Sequence, residues 1–186
     1  KISDSLNLSL PGAVTDEGQL LETLVGVCDG RSVTVDSGTY ILENVTTGQS
    51  LGLTYTKASG SLISYKPPAG TKQVIYKFHY LNRYIDETTI WHIRLYIDGV
   101  FVGETRSNAQ YTYHELQCVE IWIIDIGTED ATAQPKFLTW NTLKTIEVRM
   151  REHSSTKESI LHQTQWNADN NDNDEKAGKA TSAFSP

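Results

Sequence analysis

The stretch TIWHIRLYIDGVFVGETR, residues Thr89–Arg106, decides the fold class. Apolar and more polar side chains alternate in its first half, with Trp91, Ile93, Leu95 and Ile97 on one side and His92, Arg94 and Tyr96 on the other. Alternation with a period of two is typical of a β-strand with one buried face. Asp98-Gly99 follows, and this pair favours a type I′ turn, which needs positive φ at both central residues. The stretch therefore predicts a β-hairpin whose Trp91 side faces the core.

Similar strand patterns occupy most of the chain on both sides of this hairpin. In QVIYKFHY, the residues expected to share one face are Val74, Tyr76, Phe78 and Tyr80. In LKTIEVRMRE, the inward set is Ile146, Val148 and Met150, and the outward set is Glu147, Arg149 and Arg151. About eight or nine strands are predicted, most of them separated by turn residues and none by a crossover helix. We therefore expect an all-β protein, a jelly-roll-like antiparallel β-sandwich.

The run ELQCVEIWIIDIG, residues Glu115–Gly127, is apolar on both of its faces. Trp122 is out of phase with Ile121 and Ile123, so the strand lacks a polar side. This pattern is expected when the second face is covered by another layer or by another subunit. The candidate subunit interface consists of Val119, Ile121, Trp122, Ile123 and Ile124. In a closed trimer, this strand is the candidate for the threefold interface.

The ends of the chain differ from this central part. Residues 1–30 are predicted to form an N-terminal arm with a short helix, because Asp16 and Glu17 precede leucines spaced for one helical face. Those leucines are Leu20, Leu21 and Leu24. Residues 31–166 are predicted to form the β-sandwich domain. Residues 167–186 form a polar, acidic C-terminal tail with too few apolar side chains for a core of its own, and we expect neighbouring subunits to hold it.

Composition limits the partners that this chain is expected to bind. The 186 residues include 16 Lys and Arg against 23 Asp and Glu, for a formal net charge of −7. This balance disfavours sequence-independent nucleic-acid binding and polybasic membrane anchoring. No apolar run is long enough for a membrane helix, so no membrane insertion is expected. Cys28 and Cys118 are expected as small buried thiols, although pairing between them stays open.

The sequence contains no motif that predicts chemistry. Its five histidines are isolated from one another, and Asp169–Asp174 lacks the glycine and glutamate spacing of a calcium loop. Nucleophile-elbow and phosphate-loop motifs are also absent. We therefore expect no enzymatic activity, no metal ion and no cofactor. A β-sandwich hydrolase is the least favoured alternative, and it would need two of the strand carboxylates to converge, from Glu104, Glu115, Glu120 and Asp125.

Aromatic residues leave a binding function open. Four tryptophans and nine tyrosines are present. Trp91 is in phase with core residues, whereas Trp140 and Trp166 lie near strand ends. Trp140 and Trp166 are therefore candidate aromatics for stacking on a sugar, as in a carbohydrate- or receptor-binding adhesin head.

Several phrases together carry a resemblance to known proteins, namely CDGRSVTVDSGTYILENVT, SLISYKPPAGTKQVIYKFHY, IRLYIDGVFVG and LKTIEVRMREHSSTKESILHQTQW. From Gln19 to Trp166, the chain resembles virus-encoded proteins of marine and algal origin, found in large DNA viruses and phages. The strand order also looks like the trimeric jelly-roll heads of the tumour-necrosis-factor and complement type, which recur on viral fibres and spikes. Neither resemblance implies catalytic residues.

These observations favour a non-enzymatic virion structural protein, a capsid-associated, fibre or spike component that acts through subunit assembly. Its expected partners are other copies of itself, in a trimer for example, and other virion proteins. Its expected location is the capsid or the capsid surface. The alternative is the adhesin head, with a host glycan or receptor as partner.

Overall fold

The computed structural model describes residues 19–84, 88–110, 114–127, 136–137, 139–156, 158–164 and 176–177. These residues contain strands and irregular segments but no helix. The strands are β1 (Ser32–Val35), β2 (Gly38–Ile41), β3 (Gln49–Ser50), β4 (Thr56–Lys57), β5 (Ile63–Tyr65), β6 (Gln73–Tyr84), β7 (Thr88–Ile97), β8 (Val100–Gln110), β9 (His114–Ile126), β10 (Lys136–Phe137), β11 (Lys144–Glu152), β12 (Ser159–Leu161), β13 (Gln163–Thr164) and β14 (Lys176–Ala177). The expected all-β class is confirmed.

Two larger sheets form the body. The first sheet has the strand order β10-β9-β6-β12-β3, and the second has the order β4-β11-β7-β8, with β5 also paired to β11. All the pairings within them are antiparallel except β10 with β9. Buried side chains from both sheets belong to one hydrophobic cluster. The architecture is therefore β-sandwich-like, with the core between the two sheets.

The predicted hairpin is β7–β8, and its turn is where the sequence places it. Asp98 and Gly99 have φ of 51° and 76°, the positive values that this turn requires. The Asp98 carboxylate also accepts hydrogen bonds from the backbone N–H of Thr145 at 2.8 Å and from Nζ of Lys144 at 3.1 Å. The turn is thus fixed both by its own backbone preference and by contact with the start of β11.

The predicted inward side chains are buried between the sheets. On the second sheet they are Trp91, Ile93, Leu95, Ile97, Ile146, Val148 and Met150. On the first sheet, Val74, Phe78 and Tyr80 of β6 are buried, and Tyr76 is half-buried and packed against the same core. These strands have one apolar and one polar side, so the hydrophobic effect determines which side is inward.

The N-terminal helix is not formed in the described residues. Asp16 and Glu17 lie outside them, and Leu20, Leu21 and Leu24 lie in irregular chain. In this segment Glu22 binds the β1–β2 turn instead: its carboxylate accepts hydrogen bonds from the backbone N–H and the hydroxyl of Ser37, at 2.8 and 2.6 Å. A two-turn helix is too short to be stable alone, so these contacts decide the conformation.

The chain turns sharply between β12 and β13. β12 ends before His162, which has φ of 61° and lies with its Nε2 2.8 Å from the carbonyl oxygen of Ser59. β13 follows and pairs with β14. Apart from Lys176–Ala177, the tail predicted for residues 167–186 lies outside the described residues, as does Trp166.

Candidate interaction faces

The outer face of the first sheet is apolar where β6 lies beside β9. Four aliphatic side chains there remain about half exposed: Ile75 at 55%, Val119 at 45%, Ile121 at 54% and Ile123 at 53%. We call these four residues the apolar face. Register brings them together, because Ile75 pairs with Ile123, and the next two pairs along the same face are Lys77 with Ile121 and His79 with Val119. A contiguous apolar patch of this kind marks an interaction site more often than scattered exposed residues do.

The structure divides the residues that the sequence suggested as an interface. Val119, Ile121 and Ile123 point outward and belong to the apolar face. Trp122 and Ile124 are buried in the core, at 6% and 0% exposure. Trp122 stacks there on Tyr76, with ring centroids 6.1 Å apart. A strand exposes alternate residues on opposite faces, so these five residues cannot all serve one interface.

The outer face of the second sheet has a different chemistry, with four arginines on three adjacent strands. They are Arg94 on β7, Arg106 on β8, and Arg149 and Arg151 on β11. We call these four residues the arginine face. Arg94 lies directly opposite Arg149, and His92 lies between Arg106 and Arg151. Like charges directly opposite each other on neighbouring strands are unfavourable unless other groups compensate them.

Carboxylates and aromatic rings hold part of the arginine face in place. Nε of Arg94 donates a hydrogen bond to Glu104 at 2.6 Å, and Arg149 is paired with Glu147. The guanidinium carbon of Arg94 lies 4.0 Å from the centre of the Tyr55 ring. That of Arg149 lies 4.2 Å from the centre of the Tyr96 ring. Cation–π contacts at these distances fix the guanidinium groups over the rings.

Two histidines meet at the edge of the arginine face. Nε2 of His92 lies 3.2 Å from Nδ1 of His153, and Nδ1 of His92 lies 3.7 Å from a carboxylate oxygen of Glu104. Burial lowers the pKa of His92, and Arg151 lowers it further, while Glu104 opposes both. His79 takes no part in this contact, because it lies on β6 in the first sheet.

A buried carboxyl group lies between the sheets at Glu120. It accepts hydrogen bonds from the hydroxyl of Tyr80 at 3.1 Å and from that of Thr105 at 3.0 Å, and Trp91 Nε1 donates to the Tyr80 oxygen at 2.9 Å. Burial raises the pKa of Glu120. Both carboxyl oxygens are occupied, so this network joins β8 of one sheet to β9 of the other.

The carboxylates suggested for a hydrolase lie apart. Glu120 is between the sheets, Glu104 is on the outer face of the second sheet, and Asp125 bonds Gln73 at the end of β9. Within the described ranges, no group of three or more His, Cys, Asp and Glu side chains is placed to hold a metal ion.

Of the two candidate stacking residues, only Trp140 lies within the described residues, and its exposed fraction is 5%. Its Nε1 donates to the carbonyl oxygen of Tyr65 at 3.1 Å, and its ring packs beside Phe137. It lines a groove of about 750 Å³ together with Lys66 and Pro68, but its ring offers no open face for a sugar.

No helix among the described residues is long and apolar enough to cross a membrane. No protein-family model, curated protein or solved structure shows detectable similarity to this chain.

Proposed function

We propose that this chain is a non-enzymatic virion structural protein, a capsid-associated, fibre or spike component that assembles with further copies of itself through the apolar face. The observation that supports assembly is the set of four half-exposed aliphatic side chains on β6 and β9. The viral setting is supported by the sequence resemblance. The apolar face of one copy is covered by another copy, in a closed oligomer such as a trimer.

The strand order supports a jelly roll as the specific form of the sandwich. From β3 to β9, the chain passes back and forth between the sheets, and β7–β8 is a hairpin within the second sheet. The strands flanking that hairpin, β6 and β9, pair with each other in the first sheet. β11 and β12 then enter the middle of the second and first sheets. Nested antiparallel pairs that alternate between two sheets are the pattern of a jelly roll.

The β6–β9 ladder is large enough for part of a subunit interface. The β6–β9 ladder pairs Gln73 with Asp125 at one end and Tyr84 with His114 at the other, so it is roughly 40 Å long at about 3.4 Å per residue. The two strands together are about 10 Å wide, so the ladder presents roughly 400 Å², about half of the area that each partner contributes to a typical stable interface. A second copy that covers the ladder would therefore also contact the short strands and loops beside it.

The proposal is tested by sedimentation velocity on the full chain and on an Ile121→Thr/Ile123→Thr variant. About half of each isoleucine side chain is exposed, and burying that half in an interface contributes roughly 1 kcal/mol to the free energy of association. A contact between two copies loses up to about 4 kcal/mol, so the dissociation constant rises by up to about a thousandfold. A matched control replaces Val100 and Leu143, which are exposed outside the apolar face, with threonine. A monomeric wild-type chain, or equal weakening in the control, contradicts the proposal.

A further inference from the structure

We propose that the arginine face binds a sulfated polysaccharide, whose sulfate groups are held by the row formed by Arg106, His92 and Arg151. This interaction is separate from the assembly proposed above, because it uses the outer face of the opposite sheet. It would place a polyanion on the exposed side of the sandwich, leaving the apolar face for other copies of the chain.

The row consists of paired residues on three adjacent strands. His92 on β7 pairs with Arg106 on β8 and with Arg151 on β11. Neighbouring strands are about 4.8 Å apart, so the three backbone positions lie within about 10 Å of one another. His153 is beside them, in hydrogen-bond distance of His92. The donors of these side chains can therefore converge on one anionic group or on two adjacent groups.

The two arginines of the row are not paired with nearby carboxylates, although Glu104 lies 3.7 Å from Nδ1 of His92. Glu104 and Glu147 are engaged with Arg94 and Arg149 in the next row. In the described part of the chain, neither Arg106 nor Arg151 has a carboxylate within ion-pair distance, and NH1 of Arg151 donates to the backbone oxygen of Glu152 at 2.9 Å. A concentration of positive charge on a chain of net charge −7 favours an anionic partner at this face.

The aromatic rings on this face orient the arginines. The Tyr55 ring lies under Arg94 at 4.0 Å and near Arg151 at 5.2 Å, and its buried hydroxyl has no hydrogen-bond partner within the described structure. Phe101 lies on the other side of Arg94 at 5.3 Å, and Tyr96 lies under Arg149. The guanidinium groups thus cover the rings, so that bases or sugar rings cannot stack on them. We therefore expect this face to recognise charged groups.

The shape and charge of the protein favour a polysaccharide over a nucleic acid. The arginine face lies on the outer side of a sheet, with Arg106 exposed, unlike the concave sites of small ligands. Duplex DNA carries one negative charge per about 1.7 Å and is repelled strongly by an acidic protein. A sulfated polysaccharide presents separate sulfate groups, each of which can accept hydrogen bonds from an individual guanidinium group.

Binding is expected to tighten as the pH falls. The charged and titratable groups facing His92 are Arg106 and Glu104 from β8, Arg151 from β11, and His153. Burial and Arg151 lower the pKa of His92, so its ring gains a positive charge at a lower pH than an ordinary histidine does. A bound sulfate group stabilises that charge, and by linkage the protonated ring strengthens sulfate binding.

The probe is heparin, a highly sulfated polysaccharide, and the measurement is its dissociation constant by calorimetry at about 0.15 M NaCl. The test variant is Arg106→Gln/Arg151→Gln. The matched control is Lys66→Gln/Lys72→Gln, which removes the same charge from two exposed lysines away from this face. We expect the test variant to weaken binding about tenfold or more and the control to change it less than about twofold. For the wild type, affinity should be higher at about pH 5.5 than at pH 7.5.

Three results would overturn the proposal: no heparin binding by the wild type, equal loss in test and control variants, or equal affinity for single-stranded DNA or polyglutamate. Thermal unfolding of each variant shows whether the fold is retained. If the double variant unfolds, the single variant Arg106→Gln at an exposed position decides the question, with a loss of several-fold expected and no loss counting against the row. Because these experiments measure only heparin binding, their outcome is distinct from the oligomeric state.

Discussion

Ile123 and Ile124 are consecutive residues of β9 on opposite faces, so alanine substitutions at the two positions compare the core with the apolar face directly. Ile124 is fully buried and Ile123 is 53% exposed. Truncating a buried isoleucine to alanine costs about 2–5 kcal/mol, from lost burial and from the cavity that remains. At Ile123 only about half of the side chain is removed from water, so we expect a cost of about 1 kcal/mol or less.

The assay is urea unfolding followed by tryptophan fluorescence, at a protein concentration low enough that the midpoint no longer depends on concentration. In thermal unfolding, the melting temperature should fall by about 4–20 °C for Ile124→Ala and by at most about 2–4 °C for Ile123→Ala, since about 1 kcal/mol shifts it by 2–4 °C in a chain of this size. Equal losses for the two variants, or a larger loss at Ile123, would refute the assignment of the inward face of β9.

Three further predictions concern single groups. Burial raises the pKa of Glu120 above its unfolded value, so its favourable contribution is present in acid and is lost as the pH rises through the folded pKa. Glu120→Gln should therefore gain stability relative to the wild type as the pH rises above about 4.5, the usual pKa of a glutamate, and a pH-independent difference in urea unfolding would contradict this. Gly99→Val should cost about 1–2 kcal/mol because φ is +76°, whereas Gly52→Val, without such a φ and with open space around it, should change stability little. Burial raises the pKa of Cys118 to about 12, so a thiol reagent near pH 8 should modify this residue only after unfolding; rapid modification of the folded chain would be the contrary result.

Local rules in the sequence predict the hairpin and the inward sets of β7 and β11 correctly. The Asp98-Gly99 turn depends only on φ at two residues, and the structure has both values positive. In β11, apolar and charged residues alternate without exception from Ile146 to Arg151, and their burial alternates in the same phase. Where one face of a strand is clearly polar, only one orientation of the strand places its apolar side chains in the core.

Features that depend on distant residues could not be obtained in this way. β9 is apolar on both sides, so its period alone does not decide whether Trp122 or Ile121 faces the core. The leucines near the N-terminus fit a helix, but Glu22 hydrogen-bonds to Ser37 and Tyr65 instead. Tertiary contacts override local propensity in both cases.

The arginine face could not be predicted from the sequence either. Arg106 and Arg151 flank His92 only because β8 and β11 lie on either side of β7 in a particular register. Each arginine alone occupies an ordinary outward position on a strand, and single exposed charges of this kind are common. Only the order and register of three strands bring these side chains together.

The most direct test of assembly through the apolar face is the accessibility of a thiol placed within it. Cys28 and Cys118 are buried and form no disulfide, so a single introduced cysteine provides the reactive thiol. Ile121→Cys and, as the control, Val100→Cys are labelled with a bulky maleimide under reducing conditions over a range of protein concentrations. We predict that labelling at position 121 slows as the concentration rises while labelling at position 100 does not change. Equal labelling at both positions at every concentration would contradict assembly through this face.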